Sequence, residues 1–204
     1  MSNLVIREFG LQPYEPVWHA MQEFTNMRDK STPDEIWFTE HEKVFTLGLN
    51  TAPEHLLDTG DIPVVQIDRG GQVTYHGPGQ LMIYPLVDLR RAGLGVRDLV
   101  TALEQSVVDL AAEYDIDAAS RRDAPGVYVE GVKLASVGLR IRRGCSFHGM
   151  ALNVDTDLEP FSRINPCGFK GLEVTSFARL GAESNLNAVR DRLLPHLAAH
   201  LKMD

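Results

Sequence analysis

Apolar positions along the chain alternate between two spacings, one near two residues and one near three to four. Leu4-Val-Ile6 reads as a short first strand. Tyr14, Val17, Trp18, Met21 and Phe24 then recur on one face of a helix from about Tyr14 to Arg28, with Pro13 or Pro16 in its first turn. Ile36-Trp-Phe38 and Val44-Phe-Thr-Leu47 predict strands parted by a charged turn over 39–43. Residues 48–61 are irregular, with one helical turn at Pro53–Leu57. Apolar runs at Pro63–Ile67 and Gln80–Val87 flank a glycine-rich stretch. The clearest helix covers about Val96 to Tyr114, where Val100, Leu103, Val107, Leu110 and Tyr114 form a core-facing stripe. Gly126–Gly131 and Val132–Ile141 predict a hairpin turning at Glu130-Gly131, with a third strand at Phe147–Val154. Loop-rich sequence over 155–175 precedes a last helix from Leu186 to about Leu201. With no internal repeat or linker, the pattern predicts one α+β domain over residues 1–204 with a mostly antiparallel sheet.

Composition narrows the function classes. A chain of 204 residues suits a single sizeable core. A formal charge of −8 and a pI near 5.3 argue against nucleic-acid binding. No apolar run is long enough to span a bilayer and no signal-peptide pattern opens the chain, so a soluble cytoplasmic protein is expected. Two cysteines, Cys145 and Cys167, imply no disulfide framework.

Three features carry candidate chemistry. The stretch Arg69-Gly-Gly-Gln-Val-Thr-Tyr-His-Gly-Pro-Gly-Gln-Leu81 packs four glycines into thirteen positions between two strands. It reads as a loop that lines a ligand pocket or, alternatively, as a glycine-rich hairpin connection. It lacks the Gly-Lys-Ser/Thr of a phosphate loop and the glycine spacing of a dinucleotide fingerprint. Cys167, in Ile164-Asn-Pro-Cys-Gly168, is either a nucleophile exposed at a pocket mouth or a small turn cysteine. Cys145 and His148 lie three residues apart on a strand, hence on opposite faces, and are not paired. Lys133, just past the hairpin turn, either faces inward beside a thiolate or faces solvent. Local basic clusters (Arg90 and Arg91, Arg121 and Arg122, Arg140, Arg142 and Arg143) offer a rim for acidic partners or a merely solvated edge. Of these, Arg142 and Arg143 are the pair whose reversal to Glu is expected to weaken docking of an acidic protein.

Four ordered blocks resemble one family. They are Arg69–Leu81, Gly131-Val-Lys-Leu-Ala-Ser-Val-Gly-Leu-Arg140, Cys145-Ser-Phe-His-Gly-Met-Ala-Leu-Asn-Val154 and Ile164–Gly168. Their order and spacing are similar to those of the lipoyl(octanoyl) transferases, the octanoyl-carrier-protein:protein N-octanoyltransferases of lipoate biosynthesis, over nearly the whole chain. The resemblance implies the catalytic-domain fold of biotin and lipoate protein ligases: a mixed, largely antiparallel sheet with helices on its outer side. It implies an acyltransferase that takes octanoyl from acyl carrier protein, forms a thioester on Cys167, and delivers the acyl group to a specific lysine. The acceptors are apo lipoyl domains of 2-oxoacid dehydrogenase complexes and the glycine cleavage H protein; no cofactor or metal is implied. Lys133 is implied to lower the pKa of Cys167 and relay protons. Arg69, Gly70, Gly71, Gln72, Val73, Thr74, Tyr75 and His76, with Ser136, Val137, Gly138, Gly149, Met150 and Ala151, are implied to wall the octanoyl site. The rival readings are an ATP-dependent lipoate or biotin ligase on the related fold and a non-catalytic acyl- or lipoyl-domain-binding module.

Overall fold

A computed structural model describes residues 4–202, apart from the side chain of Cys167. Among the described residues the elements run, in order, β1 (Val5–Gln12), α1 (Tyr14–Met27), β2 (Glu35–His41), β3 (Val44–Leu47), β4 (Val64–Gln66), β5 (Val73–His76) and β6 (Gln80–Leu86). Then follow α2 (Leu89–Ala92), α3 (Val96–Ala112), β7 (Ala118–Ser120), β8 (Gly126–Val129), β9 (Val132–Arg142), β10 (Cys145–Asn153) and α4 (Leu186–Leu201). Seven strands form one sheet in the order β1-β2-β6-β10-β9-β8-β7, and β4-β3-β5 form a smaller one. Pairing is antiparallel except for β1 with β2 and β3 with β4. The mixed, largely antiparallel α+β sheet expected from the sequence is therefore present.

Period-two alternation divides the large sheet into two working faces. Ile36, Phe38, Leu81 and Ile83 point to one side, where they bury Leu99, Leu103, Val107 and Leu110 of α3 and Val189, Leu193 and Leu197 of α4. Each such side chain, fully buried, contributes about 1.5–3 kcal/mol. Trp37, Met82 and Tyr84 point to the other side and bury Val17 and Met21 of α1. Helices thus cover both faces rather than the outer one alone, because the stripe on α1 and the stripe on α3 each need an apolar partner. Tyr14, Val44 and Ile67 then seal α1 against the small sheet. At the other end of α1 the buried Asp34 carboxylate accepts bonds from Arg28 Nη2 and Arg91 Nη2, each at 2.6 Å.

Several elements differ from the sequence-based reading. β1 and β2 extend beyond the expected Leu4–Ile6 and Ile36–Phe38, so residues 39–41 are strand rather than turn. β1 hides because it is an edge strand: residues 7–11 are exposed, so Arg7, Glu8, Phe9, Gly10 and Leu11 show no alternation. The four-residue α2 and three-residue β7 are too short to show a period. The glycine-rich stretch is not a single loop: Val73–His76 within it are buried β5, paired with β3.

Candidate active site

Between the large sheet, α1 and the small sheet lies a cavity of about 410 Å³. Every expected wall residue except Tyr75 lines it: Arg69 through Thr74 and His76 from the glycine-rich stretch, Ser136, Val137 and Gly138 from β9, and Gly149, Met150 and Ala151 from β10. Tyr14, Met82, Tyr84 and His148 join them, as do Val100, Pro125 and Phe169. Tyr14, the first residue of α1, carried no sequence signal beyond its place in the helical stripe.

The glycine-rich segment is strapped onto β9. Gly70 N–H donates to Leu139 O at 3.0 Å, and the Arg69 side chain lies across Gly138, where a Cβ would stand 2.9 Å from Arg69 Cδ. Only glycine at 138 leaves room for that arm. Arg69 is itself buried; Nη1 donates to Gly70 O at 2.9 Å, and Nη2 to Thr46 O at 2.8 Å and Thr46 Oγ1 at 3.0 Å.

From Thr46 a chain of hydrogen bonds runs along the cavity's underside. Thr46 Oγ1 meets His76 Nε2 at 3.2 Å, and His76 Nδ1 meets Gln80 Oε1 at 2.7 Å. Gln80 Nε2 donates to Asn153 Oδ1 at 2.8 Å, and Asn153 Nδ2 to Thr175 O at 3.0 Å. These partners assign the proton of His76 to Nδ1, since Gln80 Oε1 accepts and Thr46 can donate. Complete burial holds the His76 imidazole well below its ordinary pKa, which keeps it neutral. Tyr14 stacks on its ring at 5.5 Å and reaches His148 Nδ1 at 3.4 Å, while His148 Nε2 donates to Asp68 Oδ1 at 2.9 Å. Burial lowers the pKa of His148 too, against the pull of Asp68.

The third buried imidazole makes a pH prediction. His41 bonds Gln12 O at 3.0 Å and Tyr84 OH at 2.8 Å, and burial pushes its pKa from 6.5 to about 4. Between those values the unfolded chain binds a proton that the folded chain refuses. The His41 contribution is complete above about pH 6.5 and is lost as pH falls toward 4, a change on the order of 3 kcal/mol. Denaturant unfolding across this window should show a shallower acid limb in His41→Gln than in the wild type. Limbs of equal slope would refute the buried neutral histidine.

Tyr75 faces the opposite way from its neighbours. Its ring packs against Phe45 at 5.6 Å and Phe161 at 5.4 Å, and among the described residues its buried hydroxyl has no partner. Strand alternation explains this, because Thr74 and His76 of β5 turn toward the cavity. Tyr75→Phe is therefore expected to keep stability within about 0.5 kcal/mol and turnover within about twofold. A larger loss of turnover, with the melting temperature unchanged, would return Tyr75 to the site.

Lys133 is 1% exposed, which excludes the solvent-facing alternative. Its main chain is gripped on both sides: Lys133 N–H donates to Glu173 O and Thr175 N–H to Lys133 O, both at 2.9 Å. Its ammonium lies 5.3 Å from the centre of the Tyr128 ring. A β-bulge decides which way the side chain points. Val127 pairs with Ala135 but Tyr128 with Lys133, so Leu134 is the extra residue. Strict alternation would send Lys133 and Ser136 to opposite faces; with the bulge, both line the cavity.

Cys167 sits in a 3₁₀ turn, Pro166–Gly168, that packs against β5. Asn165 N–H anchors the turn on His55 O at 2.9 Å, and Phe169, two residues past the cysteine, lines the cavity together with Gln72 and Lys133. At the end of the turn a Cβ on Gly168 would stand 3.1 Å from the Gln72 side chain, so the turn abuts one wall of the cavity that Lys133 also lines, while Asn165 and Pro166 face a second cavity. Cys145 is elsewhere: it pairs with Arg142 at the far end of β9, and burial pushes its thiol up. His148 engages Tyr14 and Asp68 rather than Cys145.

Residues 13–198 match the family model described as the lipoyl protein ligase A/B catalytic domain. A protein of Shewanella sp. (strain ANA-3) named octanoyltransferase is 58% identical over 95% of this chain and 89% of its own length. Another of that name from Vibrio campbellii is 58% identical over 98% of this chain and 90% of its own. Among solved structures, a bipartite lipoate protein ligase from Thermoplasma acidophilum shares 16% identity at a TM-score of 0.79, covering 100% of this chain and 86% of that one. At that identity the likeness speaks to the fold, which is that of the lipoate protein ligases.

Proposed function

The chain belongs to the lipoyl protein ligase A/B catalytic-domain family, and from that premise we propose that it is an octanoyltransferase working through a cysteine thioester. It moves octanoyl from acyl carrier protein to the ε-amine of a specific lysine on apo lipoyl domains, including those of 2-oxoacid dehydrogenases and the glycine cleavage H protein. The reading is supported above all by one observation: the buried Lys133 lines a largely apolar cavity, and the turn that bears Cys167 abuts the Gln72 wall of that cavity at Gly168. As a separate reading, residues 1–204 form a single catalytic domain acting in the cytoplasm; no described helix is long and apolar enough to cross a membrane.

Each step conserves atoms. The Cys167 thiolate attacks the thioester carbonyl, the carrier's C–S bond breaks, and the phosphopantetheine leaves as a thiol by taking a proton from the Lys133 ammonium. Octanoyl is then bonded to Cys167 sulfur. The acceptor amine, once deprotonated, attacks that carbonyl; an amide forms and Cys167 departs as the thiolate. Lys133, left neutral by the first half, takes one proton from the acceptor ammonium and regains its charge beside the departing thiolate, while the second amine proton passes to solvent. The donor thioester is already activated, so no nucleotide is consumed. The cavity receives the acyl tail, and each methylene buried there contributes about 0.8 kcal/mol.

The polar groups fit this division. His76, His148 and Tyr14 are satisfied by one another and by Thr46, Gln80 and Asp68, so they shape the cavity without offering a second base. The decisive assay mixes the protein with octanoyl-acyl carrier protein and an apo lipoyl domain without ATP. An octanoyl mass shift on the domain is expected. An absolute ATP requirement would favour the ligase reading and refute this one. Acyl binding without transfer to the domain would leave only a binding module.

Placement also moves the expected docking rim for the carrier. Arg142 and Arg143 reach Asn26, nine or more residues along β9 and its turn from Lys133, roughly 30 Å away by strand rise. Arg121 and Arg122 instead precede Asp123–Pro125, which line the mouth. Reversing Arg121 and Arg122 to Glu should raise KM for the carrier several-fold at low salt, with the difference shrinking as salt is added. The same reversal at Arg142 and Arg143 should leave KM nearly unchanged; the opposite ranking would place the carrier at the far strand end.

A further inference from the structure

We propose that Glu104 is a positioning residue for this reaction: its carboxylate holds Gly126 in place, and the bare glycine is the surface on which the Lys133 side chain is seated. The inference rests on the reading of Lys133 as the partner of Cys167. It begins from an anomaly on α3. The buried positions of that helix are Leu99, Ala102, Leu103, Glu104, Ser106, Val107, Leu110 and Ala111, and Glu104 is the charged one among them. An apolar side chain there would avoid the cost of placing a carboxylate in the core. Burial does raise the pKa of Glu104, offset by the Gly126 N–H and by the Lys133 charge.

Geometry shows what the carboxylate does. Glu104 Oε1 accepts from Gly126 N–H at 2.7 Å, at the first residue of β8. Gly126 has φ +142°, a backbone region open to glycine, and it pairs with Ser136 next to the β9 bulge. A Cβ at 126 would stand 2.8 Å from Lys133 Cε and 3.4 Å from Nζ, and would run into Ala135 O. The lysine's terminal carbon and ammonium therefore lie flush on the Gly126 main chain, with the Tyr128 ring on the same strand 5.3 Å from Nζ. Glu104 fixes the peptide on which the ammonium rests, and its charge faces the same small space. Displacement of a reacting group by about 1 Å costs on the order of 100-fold in rate. Looseness at Gly126 therefore reaches the chemistry directly.

The test uses the full chain with octanoyl-acyl carrier protein and an apo lipoyl domain. Glu104→Ala should lower kcat about 30-fold or more with little change in KM for the carrier, and should slow alkylation of Cys167 by iodoacetamide, read peptide by peptide. Glu104→Gln keeps an oxygen for the Gly126 N–H and should recover most of the rate. In a Lys133→Met background the Glu104→Ala change should cost less than about twofold, because the group it positions is gone. A purely structural Glu104 would lower the melting temperature without this rescue and without the coupling. Wild-type kcat in Glu104→Ala, a Gln variant as slow as Ala, or penalties that multiply in the double variant would each overturn the proposal. Cys167→Ala, run in parallel, separates the two readings. If it remains active, the thioester mechanism itself fails; if it is dead while Glu104→Ala is normal, only the positioning role fails.

Discussion

Cys167→Ala is expected to lower octanoyl transfer about 10³-fold or more and to remove the covalent octanoyl adduct, while Cys145→Ala keeps both. The contrast follows from where the main chain puts the two residues. Cys145 opens β10 opposite Arg142, nine residues along β9 from Lys133, roughly 30 Å by strand rise. It is buried, and burial raises its thiol pKa, so little thiolate is available at neutral pH. Cys167 lies in a turn flanked by Asn165, which binds His55, and by Phe169, which lines the cavity. A cysteine with an unperturbed pKa of about 8.5 is only a few per cent thiolate at pH 7, so a cation in the role proposed for Lys133 has a use. Intact-mass measurement after mixing each variant with octanoyl-acyl carrier protein decides the matter. An octanoyl adduct persisting in Cys167→Ala, or vanishing in Cys145→Ala, would end the assignment.

Much of the scaffold was legible because burial imprints a period on the sequence. The three long helices, the hairpin at Glu130-Gly131 and the β6 and β10 strands fall where the apolar spacing puts them. The candidate site was legible as residue types but not as geometry. A glycine-rich stretch hides β5, since glycines on either side mask four residues of alternation. Tyr75 stands among wall residues in sequence yet faces the Phe45 and Phe161 cluster, and only the register of β5 against β3 decides that. Lys133 is the sharper case. Counting by twos from Ser136 sends it away from the cavity, and the extra residue at Leu134 brings it back. Glu104 was invisible for a different reason: within a helical stripe a charged residue reads as a boundary of the buried face, and its partner Gly126 is 22 residues away.

Lys133→Met should lower transfer about 10²- to 10⁴-fold while leaving the protein folded. Methionine nearly matches the volume of the lysine stem, so the cavity wall and the β9 bulge remain filled. What disappears is an ammonium held at 1% exposure against Tyr128 and Gly126, a placement that costs desolvation. Alkylation of Cys167 should slow as well, because the thiolate loses its cationic neighbour. Lys133→Arg is not expected to restore the rate: the guanidinium is planar and broader, and it keeps its proton and so cannot serve as the base. Rates of alkylation and of amide formation, measured separately, test the two duties of the residue one at a time. If Lys133→Met formed the amide at the wild-type rate, or if its cysteine alkylated as fast as before, the corresponding duty would belong to another group.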